Sequence, residues 1–138
     1  MAQVQAEVGQ QLPTRTIHLD RAALVRYAGA SGDFNPIHWD ERFATAVGLP
    51  DVIAHGMLTM GAAVQVVVDW VGDAGTVLEY STRFSAPVPV SYDGGADVEV
   101  SAVVKSVDAE TRRAVVEITA THDGAKVLTR ALATVALG

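Results

Sequence analysis

The 138-residue chain has no cysteine, which excludes disulfides, thiolate metal sites and a cysteine nucleophile. Charge is also scarce. Charged residues make up 19% of the chain, 10 of them basic and 16 acidic, for a formal net charge of −6. The basic residues are scattered and form no stripe, which argues against a nucleic-acid partner. The longest apolar run, Met57 to Val71, contains Gln65 and Asp69. It is shorter than the ~20 residues a spanning helix needs, so no membrane insertion is expected. Met1 to Gln10 has neither a basic start nor an apolar core; a secretory leader is not expected there, and a cytoplasmic location is. No repeat, low-complexity tract or linker breaks the sequence.

What remains is apolar. Hydrophobic residues reach 49% and the mean hydropathy is +0.24. A single domain over residues 1–138 can bury one modest core, and the surplus apolar surface is expected to be covered by another subunit.

One segment stands out chemically: Tyr27-Ala28-Gly29-Ala30-Ser31-Gly32-Asp33-Phe34-Asn35-Pro36-Ile37-His38. It separates a carboxylate and an imidazole by five positions, a spacing that would point them in different directions on a helix. Pro36 cannot donate a backbone hydrogen bond and pushes Asn35 out of the α region. The stretch therefore reads as a tight turn leaving a helix, able to converge Asp33 and His38 on one point. Such a pair can take a proton from carbon while giving one to oxygen. The same residues also fit ordinary turn chemistry, with Asp33 capping the next segment and His38 exposed.

Around this turn the chain falls into two halves. Pro13 to Leu19 reads as a short extended segment. Asp20 is a good N-cap for a helix from Arg21 to about Ala30, and Asp40 for a second through Glu41, Arg42, Phe43 and Ala46, ended by Gly48 and Pro50. Residues Ala54 to Val71 are apolar nearly all round and read as one long buried helix, although Val66 to Val68 would also suit a strand. Gly61, Ala62 and Ala63 leave room for a curved sheet to pack closely. From Thr76 onward the period is two. Leu78, Tyr80, Thr82 and Phe84 alternate with their neighbours, as do Val98 to Val104 and Ala114 to Ala120, and Lys126 to Ala136 has the same character. Asp123-Gly124 marks a hairpin between the last two strands. Helices followed by strands give an α+β domain with an antiparallel sheet.

The pattern aromatic, small residues, Gly-Asp-x-Asn-Pro-aliphatic-His, then a small residue six positions on (Ala44) resembles the signature of the MaoC-like (R)-specific enoyl hydratases and (3R)-hydroxyacyl dehydratases. Ile53 to Met60 and Glu79 to Val88 are similar to parts of the catalytic B subunits of mycobacterial (3R)-hydroxyacyl-ACP dehydratases, a class in which a paralogous partner lacks the dyad. The resemblance implies a hotdog fold, an antiparallel sheet wrapped around a long central helix. It also implies a hydro-lyase that needs no cofactor or metal, acts on acyl-CoA or acyl-ACP, and works as a homodimer or as a heterodimer with a paralogous hotdog subunit. Its place would be fatty-acid elongation or related acyl metabolism.

Losing water from a 3-hydroxyacyl thioester needs a base at C2, an acid at the 3-hydroxyl and a donor to the thioester oxygen. His38, whose ordinary pKa is about 6.5, is the expected base, with Asp33 holding or protonating the water. Gly56 begins the buried helix, where backbone N–H groups lack intrahelical partners and the helix dipole favours an oxyanion. In the family this glycine N–H binds the thioester carbonyl. Alternatively, Gly56 only eases the chain into the helix. Asn35 is expected to brace the turn beside the dyad; His55 could line the tunnel or cap the helix entry, and the structural role is the one expected. Met57 and Met60 read as core or as walls of an acyl pocket, and Trp70 as core. His18 and His122 read as surface residues. A metal set of His38, Asp40 and His55 matches no zinc spacing. Two rival functions remain, a hotdog acyl thioesterase and a non-catalytic acyl-binding or scaffolding subunit. Asp33, Asn35 and His38 argue against both.

Overall fold

The structure, a computed structural model, describes residues 3–138. Met1 and Ala2, part of the stretch searched for a leader, lie outside the described residues. The strands are β1 (Arg15–Leu19), β2 (Val77–Phe84), β3 (Ala96–Asp108), β4 (Arg113–His122) and β5 (Ala125–Ala136). They form one antiparallel sheet in the order β1-β3-β4-β5-β2, leaving β1 and β2 at the edges. Alternation sets the faces of β3 and β4. Ala96, Val98, Val100, Ala102 and Val104 are buried, as are Ala114, Val116, Ile118 and Ala120, while the residues between them, polar except for Val103 and Val115, are more exposed. Asp123 and Gly124 both take positive φ in the β4–β5 hairpin, as a two-residue primed turn requires.

The helices are α1 (Arg21–Ser31), α2 (Glu41–Ala46), α3 (Gly56–Ala63) and α4 (Gln65–Val71). Asp20 accepts a hydrogen bond from the Ala23 N–H to cap α1, and Asp40 accepts from Arg42 and Phe43 to cap α2. With Thr59, Ala63, Val66, Val67 and Val71 buried and α4 packed on β3, the sheet and helices form the α+β hotdog arrangement.

Three expectations need correcting. The single long helix is two, because the ladder tightens at Val64. The Val64 N–H reaches Met60 O at 3.3 Å, while Val64 O accepts from both Val67 and Val68. Val64 and the run Val66 to Val68 crowd this turn with β-branched side chains, which are stiff in a helix. Gly61 does not face the sheet but is exposed, with nothing near its absent Cβ. In β2, alternation does not mark a core face. The strand is bulged between Val77 and Glu79 and between Ser81 and Arg83, and Leu78 and Phe84 are exposed.

Candidate active site

Residues 32–38 leave α1 in a tight turn. Gly32 closes the helix in the left-handed region, at φ 77°, where a side chain would be strained. The Asp33 carboxylate then accepts from the Asn35 N–H, and the Asn35 side chain from the Ile37 N–H. Asn35 thus braces the turn. Pro36 opens a short 3-10 turn, Pro36–His38, where its missing N–H costs nothing.

This local geometry turns His38 inward and leaves Asp33 half-exposed. His38 is 7% exposed, and its Nδ1 lies 2.7 Å from the Ile53 carbonyl oxygen. A carbonyl can only accept, so Nδ1 is the donor, and of the two neutral tautomers this selects the one with its lone pair on Nε2. Nε2 faces Asp33 Oδ2 at 3.8 Å. That is too long for a direct hydrogen bond, but an oxygen set at the apex could reach both groups. The anchor is itself tied, because the Ile53 N–H donates to Ile37 O, and Ala54 and Val90 join residues 52–54 to 88–90. The sequence offered no signal for this anchor, since the contact is made by main chain.

His55 is not among the residues lining the cavity; it stands at the N-cap of α3, where its carbonyl accepts from the Thr59 N–H, but its side chain makes no cap hydrogen bond. It is 1% exposed and stacks on His38, with ring centroids 3.8 Å apart and planes 20° from parallel. Tyr27 also packs against it in an edge arrangement, with ring centroids 4.7 Å apart. Its Nε2 donates to the Asp33 carbonyl at 3.2 Å, while Nδ1 is buried without a partner. Burial, the larger effect, pulls the His55 pKa below its ordinary 6.5, against the raising influence of the Asp33 carbonyl.

A cavity of about 300 Å³ opens beside His38, lined by Ile53, Ala54, Gly56, Thr59, Phe84 and Leu128 among others. Gly56 has no positive φ, so helix entry does not need its backbone freedom. It is the missing Cβ that matters, because one placed there would come within 3.0 Å of the Phe84 ring. Met57 and Met60 do not line this cavity. Met57 points outward at 58% exposure, and Met60 offers its carbonyl to the Tyr80 hydroxyl. Thr59, one turn on from Gly56, takes the wall position instead. The residues that sequence reasoning missed are therefore Ile53, Thr59 and Phe84. Trp70 is only partly buried, packed against the core.

Asp33, His38 and His55 each bring a potential ligand atom within 4.8 Å of the others. Asp40, considered earlier with the two histidines, is committed to the α2 cap. Two stacked imidazoles direct their lone pairs in nearly parallel planes, so this cluster is a poor chelate for one ion. His18 pairs with Asp97 at the surface, while His122 is partly buried and donates to the Asp97 carbonyl.

A family model described as MaoC like domain matches residues 3–125. The 3-hydroxyacyl-thioester dehydratase X of Mycobacterium tuberculosis is 40% identical over 76 residues, covering 55% of this chain and 26% of that protein. The chain thus spans about a quarter of that relative's length. Among solved structures, a MaoC-like dehydratase superposes with a TM-score of 0.94 at 47% identity, over 96% of this chain and 41% of the other. The (R)-hydratase from A. caviae involved in PHA biosynthesis gives a TM-score of 0.84 at 28% identity, over 96% and 97%.

Proposed function

The chain belongs to the MaoC-like domain family, and on that premise we propose that it is a (3R)-hydroxyacyl-thioester dehydratase and (R)-specific enoyl-thioester hydratase. The observation that carries this reading is His38, buried and locked with its lone pair on Nε2 beside the Asp33 carboxylate. In dehydration, Nε2 takes a proton from C2, and the C–H electron pair forms the C2=C3 bond. The C3–O bond breaks with its electron pair on the oxygen, and that oxygen, held between Asp33 and His38, takes the proton from His38 Nε2 and leaves as water, which returns the ring to its starting form. The N–H of Gly56, on the cavity wall at the start of α3, stabilises the thioester oxygen as charge develops. The apolar walls, Ile53, Ala54, Val88 and Leu128, suit an acyl chain, carried by CoA or an acyl carrier protein. Asn35 and His55 act from behind the reacting groups.

The working unit in this reading pairs two hotdog domains, with a second copy or a paralogue as the partner. The open edge of β2 supports it, with Leu78, Phe84 and Leu132 exposed on it and its neighbour β5, and Met57 exposed on α3.

Crotonyl-CoA tests the activity. Loss of enoyl absorbance without free thiol, giving the (R)-3-hydroxy product, is the expected result. Thiol release would point to a thioesterase, no turnover at all to a binding subunit, and a mainly S product would overturn the reading.

A further inference from the structure

We propose that His55 is a positioning residue for the dyad. It holds the Asp33 main chain by a hydrogen bond and the His38 ring by stacking, and so fixes the separation between the two reacting groups. The inference rests on the hydratase reading above and goes further, because it gives a role to a residue that touches no substrate.

The far end of the turn is tied to residue 53, but around Asp33 itself the other hydrogen bonds are local. They run from Gly32 back to Ala28, from the Asp33 N–H to the Ser31 hydroxyl and from the Asn35 N–H to the Asp33 carboxylate, whereas the His55 bond to the Asp33 carbonyl spans 22 positions. The same ring lies against His38 on one face. One buried side chain therefore touches both members of the dyad, one through its main chain and the other through its ring.

Packing alone does not explain a histidine here. The residue is fully enclosed, and an apolar side chain would fill the space without burying an unpaired ring nitrogen. Instead the chain keeps an Nδ1 acceptor buried without a partner, and native interiors seldom tolerate such an atom without a reason. The reason is the opposite nitrogen. The Asp33 carbonyl needs a donor, so the proton must sit on Nε2, and Nδ1 is left as the unused lone pair. The two stacked rings are thus held in opposite tautomers, His38 protonated on Nδ1 and His55 on Nε2.

The test compares two substitutions by crotonyl-CoA hydration. In His55→Phe, ring and bulk survive but the donor is lost. In His55→Gln, an amide donor remains near the Nε2 position. The expected result is a fall in kcat of about 10- to 100-fold for His55→Phe, with KM little changed, as misplacement of a catalytic group gives. His55→Gln should stay within about threefold of wild type. Wild-type kcat in His55→Phe overturns the proposal, and so do equal losses in both variants that track their melting temperatures. Nitrogen-15 correlation of the imidazoles in the unsubstituted protein reads the same contact should a variant fail to fold. It should show neutral His55 protonated on Nε2 near neutral pH, and an Nδ1-protonated or doubly protonated ring overturns the tether. If the wild type hydrates nothing while the tautomers are as stated, the activity has failed and the tether stands.

Discussion

At the scale of single residues, the two members of the proposed dyad differ in burial, His38 being enclosed and Asp33 half-exposed. Asp33→Asn and His38→Ala should each lower turnover by about 100-fold or more, and the double variant should lose far less than the product of the two, because the groups act as one unit. Steady-state kinetics decide this, and wild-type rates in either single variant remove the assignment. Stability should separate them. His38→Ala strips the donor from the Ile53 carbonyl, an unmade bond costing about 1–3 kcal/mol, whereas Asp33→Asn alters a half-exposed carboxylate. His55 brings pH into play. Its folded pKa lies below the ordinary 6.5, so just under that value the unfolded chain binds more protons than the folded one. The contribution is complete above about 6.5 and is lost as pH falls toward the folded pKa. Melting temperature should therefore drop on acidification below 6.5, and more steeply than in His55→Gln. Gly56→Ala tests the carbonyl site. The methyl meets the exposed Phe84 ring, which can yield, and alanine favours the helix, so the fold should survive while kcat falls about tenfold or more as an oxyanion donor is obstructed.

Among the elements, legibility followed locality. The Asp20 and Asp40 caps, the Asp123-Gly124 hairpin and the alternation of β3 and β4 are written in neighbouring residues, and the structure has them. The break at Val64 and the bulges are not, because they answer to packing partners far along the chain. Arg130 shows this best. It sits in β5 at φ 51°, where two residues, Thr129 and Arg130, stand against Thr119 alone between the Ile118–Ala131 and Ala120–Leu128 pairs. Beside it, the consecutive Val127 and Leu128 are both buried and both line the cavity. Nothing in Leu-Thr-Arg-Ala announces a left-handed residue. Arg130→Gly should remove a strain of about 1 kcal/mol and raise the denaturation midpoint slightly; a lowered midpoint would mean that the arginine side chain contributes more than its backbone costs. The site divides the same way. The motif makes Asp33 and His38 readable, but the ring stack beneath them depends on two segments meeting in space.

At the scale of the whole molecule, the sheet ends at two edges, β1 and β2, and large apolar side chains are exposed at β2. An open edge flanked by exposed apolar side chains is an invitation to pair. Light scattering on the chain alone should give about twice 14.5 kDa for self-pairing. Aggregation relieved by co-expression with a paralogue would indicate a mixed pair, and a fully active monomer would contradict both. Leu78→Lys on that edge should weaken the pair and reduce turnover with it.

The hold on His38 has a consequence for how the domain could change over time. The proposed base is oriented by the carbonyl of Ile53, a group that every amino acid supplies, while the same residue lines the cavity beside it. Substitution at position 53 can therefore reshape what the cavity accepts and leave the proton-transfer machinery in register. Directed evolution toward longer or branched acyl chains would do well to begin there, where selectivity can drift without endangering the chemistry.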